Sequence, residues 1–165
     1  MKFSCEKALL QSMITIASRA VAPKSTIPAL EGVLLEAEQE LNLTGYNLKT
    51  GIRGTISADI AEPGSIVLSA RLFGDIIRRL PDDMVTLSTD DLMVNITCGM
   101  SEFNILGMDP SQFPELPAVE YQNSMILPQR ILHSMITETI FAVSTNDSRP
   151  IHTGELFERN GEGLL

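Results

Sequence analysis

An internal repeat with an offset of 122 residues constrains the fold of this chain more than any other feature of its sequence. Residues 4–43 align without gaps on residues 126–165 and share thirteen identities in forty positions. Chance would supply roughly three identities at ordinary residue frequencies. A period of this length matches a whole domain and is too long for a solenoid repeat. The chain therefore contains one domain and the beginning of a second copy of it.

A proline-rich stretch marks the boundary between the two copies independently of the repeat. Three prolines lie within eight residues between Pro110 and Pro117, and each removes a backbone donor and fixes φ. This predicts an extended connector over residues 109–122. We predict a complete first domain over residues 1–122. Residues 123–165 would then supply roughly the first third of a second domain, in which the chain is cut short.

The composition is that of an ordinary globular protein without a membrane-spanning segment. The chain has 165 residues, of which 44% are apolar, enough to bury one core. No apolar run approaches the roughly 18–20 residues that a bilayer requires, and Glu6, Lys7 and Gln11 interrupt any signal-like stretch. We therefore expect a cytoplasmic protein with no membrane partner. Cys5 and Cys98 lack metal or redox spacing and are expected to be buried, reduced thiols.

Two segments have the apolar periodicity of helices. The first helix is predicted from about Cys5 to Ala20, with Ser4 as its N-cap. The second helix is predicted to follow an N-cap at Ser69 and to end before Pro81. Its inward-facing residues are expected to be Leu72, Phe73, Ile76, Ile77 and Leu80.

Between and after these helices the apolar period is two, which is typical of half-buried strands. Alternation from Ile52 to Ile60 predicts the clearest strand. Further short strands are predicted over residues 29–37, 40–45, 65–68, 83–88, 91–98 and 102–107. The local pattern therefore predicts strands with two embedded helices.

Several segments of the chain carry a family resemblance. These segments are Met1–Phe3, Thr26–Glu36, Ser69–Pro81, Gln112–Pro117 and Phe141–Glu158. They resemble the β subunit of bacterial DNA polymerase III, the replicative sliding clamp, and they occur in family order along the whole chain.

The resemblance implies both a fold and a function. The fold is the α+β DNA clamp (processivity) fold, in which two helices pack against curved antiparallel sheets in each of three domains. A head-to-tail homodimer of the full-length protein would form a ring around double-stranded DNA. It would act with DNA polymerase III and the clamp loader as a processivity factor, with no catalytic residues, metal or cofactor. The chain itself is expected to form no stable ring, because it ends within the second domain.

The net charge of −9 is unexpected for a protein that contacts phosphates. Affinity for the DNA backbone normally comes from clustered Lys and Arg, and here twelve basic residues face twenty-one acidic ones. A ring resolves the conflict, since its topology retains the DNA while a few local cations make weak contacts. The acidic outer surface would then repel DNA from the wrong face.

Arg71 and Arg78 are candidates for such contacts on the second helix. They are seven residues apart and therefore lie within about 20° of each other on one helical face. Asp75 lies between them, so an ordinary ladder of ion pairs explains the same spacing. The resemblance favours DNA contact, because polar helix faces line the hole of a clamp. Arg19, Lys7 and Arg79 are weaker candidates on the same argument.

Lys24 is a candidate in the polar loop that follows the first helix. The resemblance implies a basic residue at this position that contacts DNA. The repeat aligns Lys24 with Asn146, where the family places a polar DNA-contacting residue followed by an arginine, here Arg149. The alternative is that these loops contain only exposed turn residues.

Catalysis has little support in the sequence. His133 and His152 have no nucleophile or carboxylate at a suggestive spacing, and Asp82–Asp83 and Asp90–Asp91 are typical of solvated turns. Two other functions remain open. One is a truncated clamp-fold binding module that self-associates through exposed sheet edges and does not encircle DNA. A hydrolase that uses one of the histidines with the aspartates is the more remote alternative.

Overall fold

The computed structural model of the chain describes residues 1–118, 125–146, 148–160 and 163–164. The chain divides into two compact units, Met1–Pro117 and Ala118–Leu165. Residues 119–122 of the predicted connector lie outside the described residues, so the domain boundary at residue 122 stays a prediction.

The first unit combines two helices with two antiparallel sheets. The five-stranded sheet has the order β5-β1-β7-β8-β9, and the four-stranded sheet has the order β4-β3-β2-β6. The helices are α1 (Lys7–Ala17) and α2 (Ala70–Arg79). The strands are β1 (Lys2–Glu6), β2 (Gly32–Ala37), β3 (Leu41–Tyr46), β4 (Gly51–Ile56), β5 (Asp59–Glu62), β6 (Gly64–Ser69), β7 (Met84–Asp90), β8 (Met93–Cys98) and β9 (Ser101–Leu106).

One hydrophobic core joins both sheets to both helices. Helix α1 packs on β3, β4 and α2, and α2 also packs on β2 and β6. The side chains of Phe3, Leu35, Phe73 and Leu87 are fully buried in this core. Because the apolar faces of both helices point inward, their polar faces lie side by side on the surface.

Helix α1 begins later than predicted. It starts at Lys7, and Ser4 lies in β1, where its Oγ shares a 2.8 Å hydrogen bond with Thr86 Oγ1. The prediction of Ser4 as N-cap is therefore wrong. The physical reason is that residues 2–6 pair with two strands, β5 and β7, which outweighs a single capping bond.

Helix α2 follows the prediction closely. Ser69 is its N-cap and accepts a hydrogen bond from Leu72 N at 3.4 Å, and the helix ends at Arg79, before Pro81. Phe73, Ile76 and Ile77 are buried as expected. The inward orientation predicted for Leu72 is wrong, since this residue is 47% exposed. Leu72 lies about 90° from the centre of the buried stripe at 100° per residue.

The predicted strand over residues 52–60 is two strands in different sheets. Burial alternates throughout, but residues up to Ile56 pair with β3, whereas residues from Asp59 onward pair with β1. The alternation continues across the break because both strands present one face to the same core. Most other strands match their predicted ranges to within two residues, and residues 28–31 form a 3-10 helix before β2.

The predicted connector packs on the first unit over its initial residues. Met108 exchanges two backbone hydrogen bonds with Val67, of 2.8 and 3.2 Å. Phe113 is 7% exposed and belongs to a second, smaller apolar cluster with Ala29, Leu30, Tyr46 and Val67. Residues 108–116 therefore form a strap that packs on the first unit rather than a free linker.

The second unit repeats the start of the first at the offset found in the sequence. It contains α3 (Gln129–Thr139), 3-10 helices at Ile140–Ala142 and Pro150–Thr153, and the short strands β10 (Arg159–Asn160) and β11 (Gly163–Leu164). Residues 129–139 lie 122 positions after the residues of α1. Both 3-10 helices also lie 122 positions after their counterparts at Ser18–Ala20 and Pro28–Glu31. The repeat is thus present in the structure as well as in the amino-acid sequence.

The two copies differ in how deeply their apolar residues are buried. Leu35 is fully buried in the first unit, whereas its counterpart Phe157 is 50% exposed. Leu156 is 85% exposed.

None of the described helices is long and apolar enough to cross a bilayer.

Candidate nucleic-acid interface

A surface groove runs between the polar faces of α1 and α2. Its volume is about 650 Å³. Gln11, Thr15 and Ser18 line it from α1 and its C-terminal end, and Arg71 and Arg78 line it from α2. The common face predicted for the two arginines is therefore observed, and their contact with DNA stays a prediction.

The ion-pair ladder considered for α2 is only partly formed. Arg78 Nη2 donates to Asp75 Oδ1, and the two side chains are 63% and 40% exposed. An exposed pair of this kind contributes about 0–1 kcal/mol. Among the described residues, Arg71 forms no ion pair. Its guanidinium is thus the cation in the groove that carries no carboxylate partner.

Charge is distributed unevenly between the helical segments and the rest of the chain. Six of the twelve basic residues lie in residues 7–27 and 70–80, which contain a single acidic residue, Asp75. The helical segments therefore carry an excess of positive charge although the chain has a net charge of −9, and Asp75 and Glu31 are the acids that line the groove. The six residues are Lys7, Arg19, Lys24, Arg71, Arg78 and Arg79.

Lys7 is the member of this set that is least available to a ligand. Its Nζ forms a 2.8 Å ion pair with Asp82 Oδ1, and its side chain is only 12% exposed. Arg19 lies in the 3-10 helix that follows α1, and both Arg19 and Arg79 are exposed. Lys7 is thus a poorer candidate than the sequence suggests.

Lys24 lies exposed in a loop whose base is closed by hydrogen bonds. Ala22 N donates to Leu30 O at 3.1 Å, and Ser25 N donates to Glu31 Oε1 at 2.9 Å. Leu30 is 1% exposed within the smaller apolar cluster. The loop is therefore anchored at both ends while Lys24 extends from it.

The equivalent loop in the second unit is closed in the same way. Ser144 N donates to His152 O at 2.9 Å, which repeats the Ala22–Leu30 bond at the same offset. Asn146 Oδ1 accepts from Ser148 N at 2.9 Å, which leaves the amide Nδ2 as the group able to contact a phosphate. Arg149 is exposed at the start of the following 3-10 helix.

The histidines and the aspartates considered for catalysis all lie on the surfaces of their own units. His133 and His152 are both exposed, and Asp83 Oδ1 accepts from Met84 N at 2.7 Å within a turn. In the part of the chain that the structure describes, no three His, Cys, Asp or Glu residues are grouped to hold a metal ion.

Both cysteines are free and buried, as predicted. Cys5 lies on β1 and Cys98 on β8, and these strands flank β7 on opposite sides. Two strand spacings amount to about 9.5 Å, beyond the roughly 7 Å that a disulfide can span. Burial raises the pKa of Cys5 to about 12. It also raises the pKa of Cys98, with the Asp83 carboxylate adding to the effect.

Comparison with known proteins identifies the family. Residues 1–117 match the family model of the DNA polymerase III beta subunit, N-terminal domain. The chain belongs to this beta-subunit family.

Relatives within the beta-subunit family extend well beyond this chain. The beta sliding clamp of Synechocystis sp. is 36% identical over 174 residues, covering 99% of the chain and 44% of the relative. The beta sliding clamp of Staphylococcus epidermidis is 38% identical over 164 residues, covering 93% and 44%. The chain thus spans less than half the length of these curated relatives.

Solved structures of the beta-subunit family confirm the fold. A DNA polymerase III beta subunit from Pseudomonas aeruginosa superposes with a TM-score of 0.91 at 30% identity, covering 98% of this chain and 44% of that one. The Bacillus subtilis sliding clamp gives 0.85 at 33% identity, covering 92% and 42%. The α+β clamp fold predicted from the sequence is therefore confirmed.

One exposed cation of the first unit is absent from the sequence-based candidates. Lys49 lies in the β3–β4 turn, 25 residues away from Lys24 along the chain. A signal for it exists in the sequence, because residues 41–58 contain no acidic residue. The packing of β3 against the end of α1, which determines where this turn lies, cannot be read from sequence spacing.

Proposed function

We propose that the protein is part of a ring-shaped sliding clamp that encircles double-stranded DNA and tethers DNA polymerase III. In this role it is a non-catalytic processivity factor of the replicative polymerase. Membership of the beta-subunit family and the relatives named beta sliding clamp support the proposal. The observation that carries it is the excess of cations in the helical segments of an otherwise acidic chain.

This charge distribution suits sliding better than tight binding. Lys and Arg contacts to phosphates do not depend on base sequence, and each one contributes only modestly at physiological salt. Arg71 and Arg78 in the groove, with Arg19 and Lys24 near the end of α1, would contact the backbone weakly. Retention would then come from the closed ring, so that weak contacts permit movement along the duplex.

The proposal extends to the second unit and to the assembly. Asn146 and Arg149 would make backbone contacts equivalent to that of Lys24, because their loop repeats the same closure. Residues 1–122 would form the first clamp domain and residues 123–165 part of the second. We further propose a homodimeric ring in the full-length protein, loaded by a clamp loader in the cytoplasm.

Substitution of Lys24 tests the proposed function in the full-length clamp that contains this chain. Lys24→Ala is expected to weaken loading onto primed circular DNA several-fold, because it removes one phosphate contact. Loading and retention are measured by gel filtration on circular and linear templates. The matched control is Arg53→Ala, since Arg53 pairs with Glu36 at 3.0 Å outside the groove.

The topological part of the proposal has its own readout in this experiment. Wild-type clamp is expected to stay on circular DNA and to leave linear DNA through the ends. Equal retention on both templates would exclude encirclement. Loading that Lys24→Ala leaves unchanged would exclude this residue from the DNA contact.

A second candidate function rests on an exposed sheet edge. Strand β9 lies at the edge of the five-stranded sheet and presents Phe103 at 39% and Leu106 at 70% exposure. Such an edge favours pairing with another strand. The 165-residue chain could then act as a self-associating binding module that does not encircle DNA.

A further inference from the structure

The β3–β4 turn is a rigid projection that carries a lysine. Asn47 Oδ1 accepts hydrogen bonds from Lys49 N at 3.0 Å and from Thr50 N at 2.8 Å. Asn47 N donates to Thr50 O at 3.2 Å. Leu48 has a φ of 70°, in the left-handed region, which these bonds hold in place. The exposed Lys49 side chain therefore begins from a fixed backbone.

The turn and the Lys24 loop rise from the same packed base. Gly45 in β3 lies directly against the Ala17 carbonyl, and its Cβ position is 3.3 Å from Val21 Cγ2. Tyr46, the last residue of β3, belongs to the same apolar cluster as Leu30, the residue that closes the loop. Lys49 and Lys24 are thus on neighbouring projections, although 25 residues separate them in sequence.

Cations outnumber acids at this end of the unit, where Glu31 accepts a hydrogen bond from Ser25 N at the base of the Lys24 loop. Residues 7–30 and 41–58 contain five cations and no Asp or Glu. Two of these cations have carboxylate partners, Lys7 with Asp82 and Arg53 with Glu36. In the described part of the chain, the other three form no ion pair. They are Arg19, Lys24 and Lys49.

We infer that Lys49 is a further phosphate-contacting residue that extends the Lys24 loop into one surface for the backbone of double-stranded DNA. The inference rests on the proposed function, since it assumes that Lys24 faces DNA. Contact with phosphate is independent of base sequence, so loss of Lys49 weakens binding uniformly across sequences. Rigidity of the turn reduces the ordering cost that the lysine incurs on binding.

Salt-dependent binding of the 165-residue chain to a short DNA duplex tests this inference. Binding is measured by NMR titration of the isotope-labelled chain at several salt concentrations. Lys49→Ala is expected to weaken binding several-fold and to reduce the slope of log K against log salt by about 0.9. Lys49→Glu is expected to weaken binding further, because it places an acid beside the phosphates.

Arg53→Ala is the matched control, because it removes the same charge from the same hairpin. Its guanidinium is paired with Glu36, so it is expected to leave the salt slope unchanged. Backbone spectra report folding, and neither turn bond of Asn47 uses the Lys49 side chain. A Lys49→Ala slope equal to that of Arg53→Ala would overturn the inference.

Lys24→Ala separates the inference from the proposed function. A lower slope for Lys24→Ala, with a wild-type slope for Lys49→Ala, rejects the role of Lys49 and supports the role of Lys24. Absence of any duplex binding at low salt, with wild-type backbone spectra, rejects both. Chemical-shift changes in residues 47–50 and 19–25 together support the inference.

Discussion

At the scale of single residues, Gly45 shows how closely the sheet approaches the first helix. A Cβ at this position would collide with the backbone carbonyl of Ala17, and backbone cannot move aside as a side-chain end can. Gly45→Ala is therefore expected to lower the free energy of unfolding of the first unit by about 1–3 kcal/mol. Urea denaturation followed by circular dichroism measures this change.

Gly74 provides the matched substitution with the opposite expected sign. A Cβ there would meet only Ile14 Cγ2, at an ordinary 3.5 Å. Because Gly74 lies within α2, Gly74→Ala is expected to stabilise the unit by about 0.5–1 kcal/mol through helix propensity. A Gly45→Ala variant as stable as the wild type would show that the packing around Gly45 is described incorrectly, whereas a destabilised Gly74→Ala would contradict only the helix-propensity argument.

Among the candidate residues, Arg71 and Arg78 were predictable and Lys49 was not. Helical periodicity alone places two arginines seven apart on one face, and the structure puts both at one groove. The β3–β4 turn that carries Lys49 shares a packed base with the Lys24 loop because Gly45 permits β3 to pack on the end of α1. That shared base is a property of tertiary packing and has no local pattern in the sequence.

At the scale of elements, the strap over residues 108–116 is part of the first unit. Phe113 is 7% exposed in the smaller apolar cluster. Phe113→Ala is expected to lower the free energy of unfolding by about 3 kcal/mol, the lower end of the range for core phenylalanines. Thermal and urea denaturation of the 165-residue chain measure the loss.

Ser111→Ala is the control for the strap, because its side chain is exposed in the same segment. It is expected to change stability by less than about 0.5 kcal/mol. Hydrogen exchange of Met108 N, which donates to Val67 O, should accelerate in Phe113→Ala alone. Equal stability of the two variants would mean that the strap does not contribute to folding.

Elements whose ends are marked by capping residues or prolines were predictable from the sequence. Elements whose ends are determined by strand pairing were not. Ser69 and Pro81 delimit α2 in sequence and in structure. Ser4 has the chemistry of an N-cap, yet it lies in β1 because β5 and β7 pair on either side. The break near Ser57 is hidden since the apolar alternation runs through it.

At the scale of the whole molecule, the edge strand β9 predicts self-association of the 165-residue chain. Its free backbone groups and exposed Leu106 favour pairing with a second copy. We expect the apparent mass from light scattering to rise with concentration. Leu106→Lys is expected to return it towards the monomer value, because a charged edge disfavours pairing.

Met100→Lys is the control for this effect. Met100 is fully exposed in the β8–β9 turn and does not lie on the edge strand. Met100→Lys therefore adds the same charge as Leu106→Lys at a position outside β9. It is expected to leave the concentration dependence unchanged. Identical behaviour of the two variants would assign self-association to net charge rather than to the β9 edge.

Net charge illustrates what composition cannot predict about the whole molecule. A value of −9 argues against nucleic-acid binding when the charges are simply summed. Arg19, Lys24 and Arg71 lie in or next to the two helices, while many acidic residues lie in strands and turns such as Asp90–Asp91. Family resemblance recovered the fold class, but the charge pattern required the positions of α1 and α2.

The placement of the two cysteines gives the chain an internal probe of folding. Both lie in the first unit, buried on strands either side of β7, and the chain has no others. A thiol reagent can therefore reach them only when the five-stranded sheet opens. Pulse labelling would follow opening of the first unit alone, whatever the second unit does, without the introduction of a foreign label site.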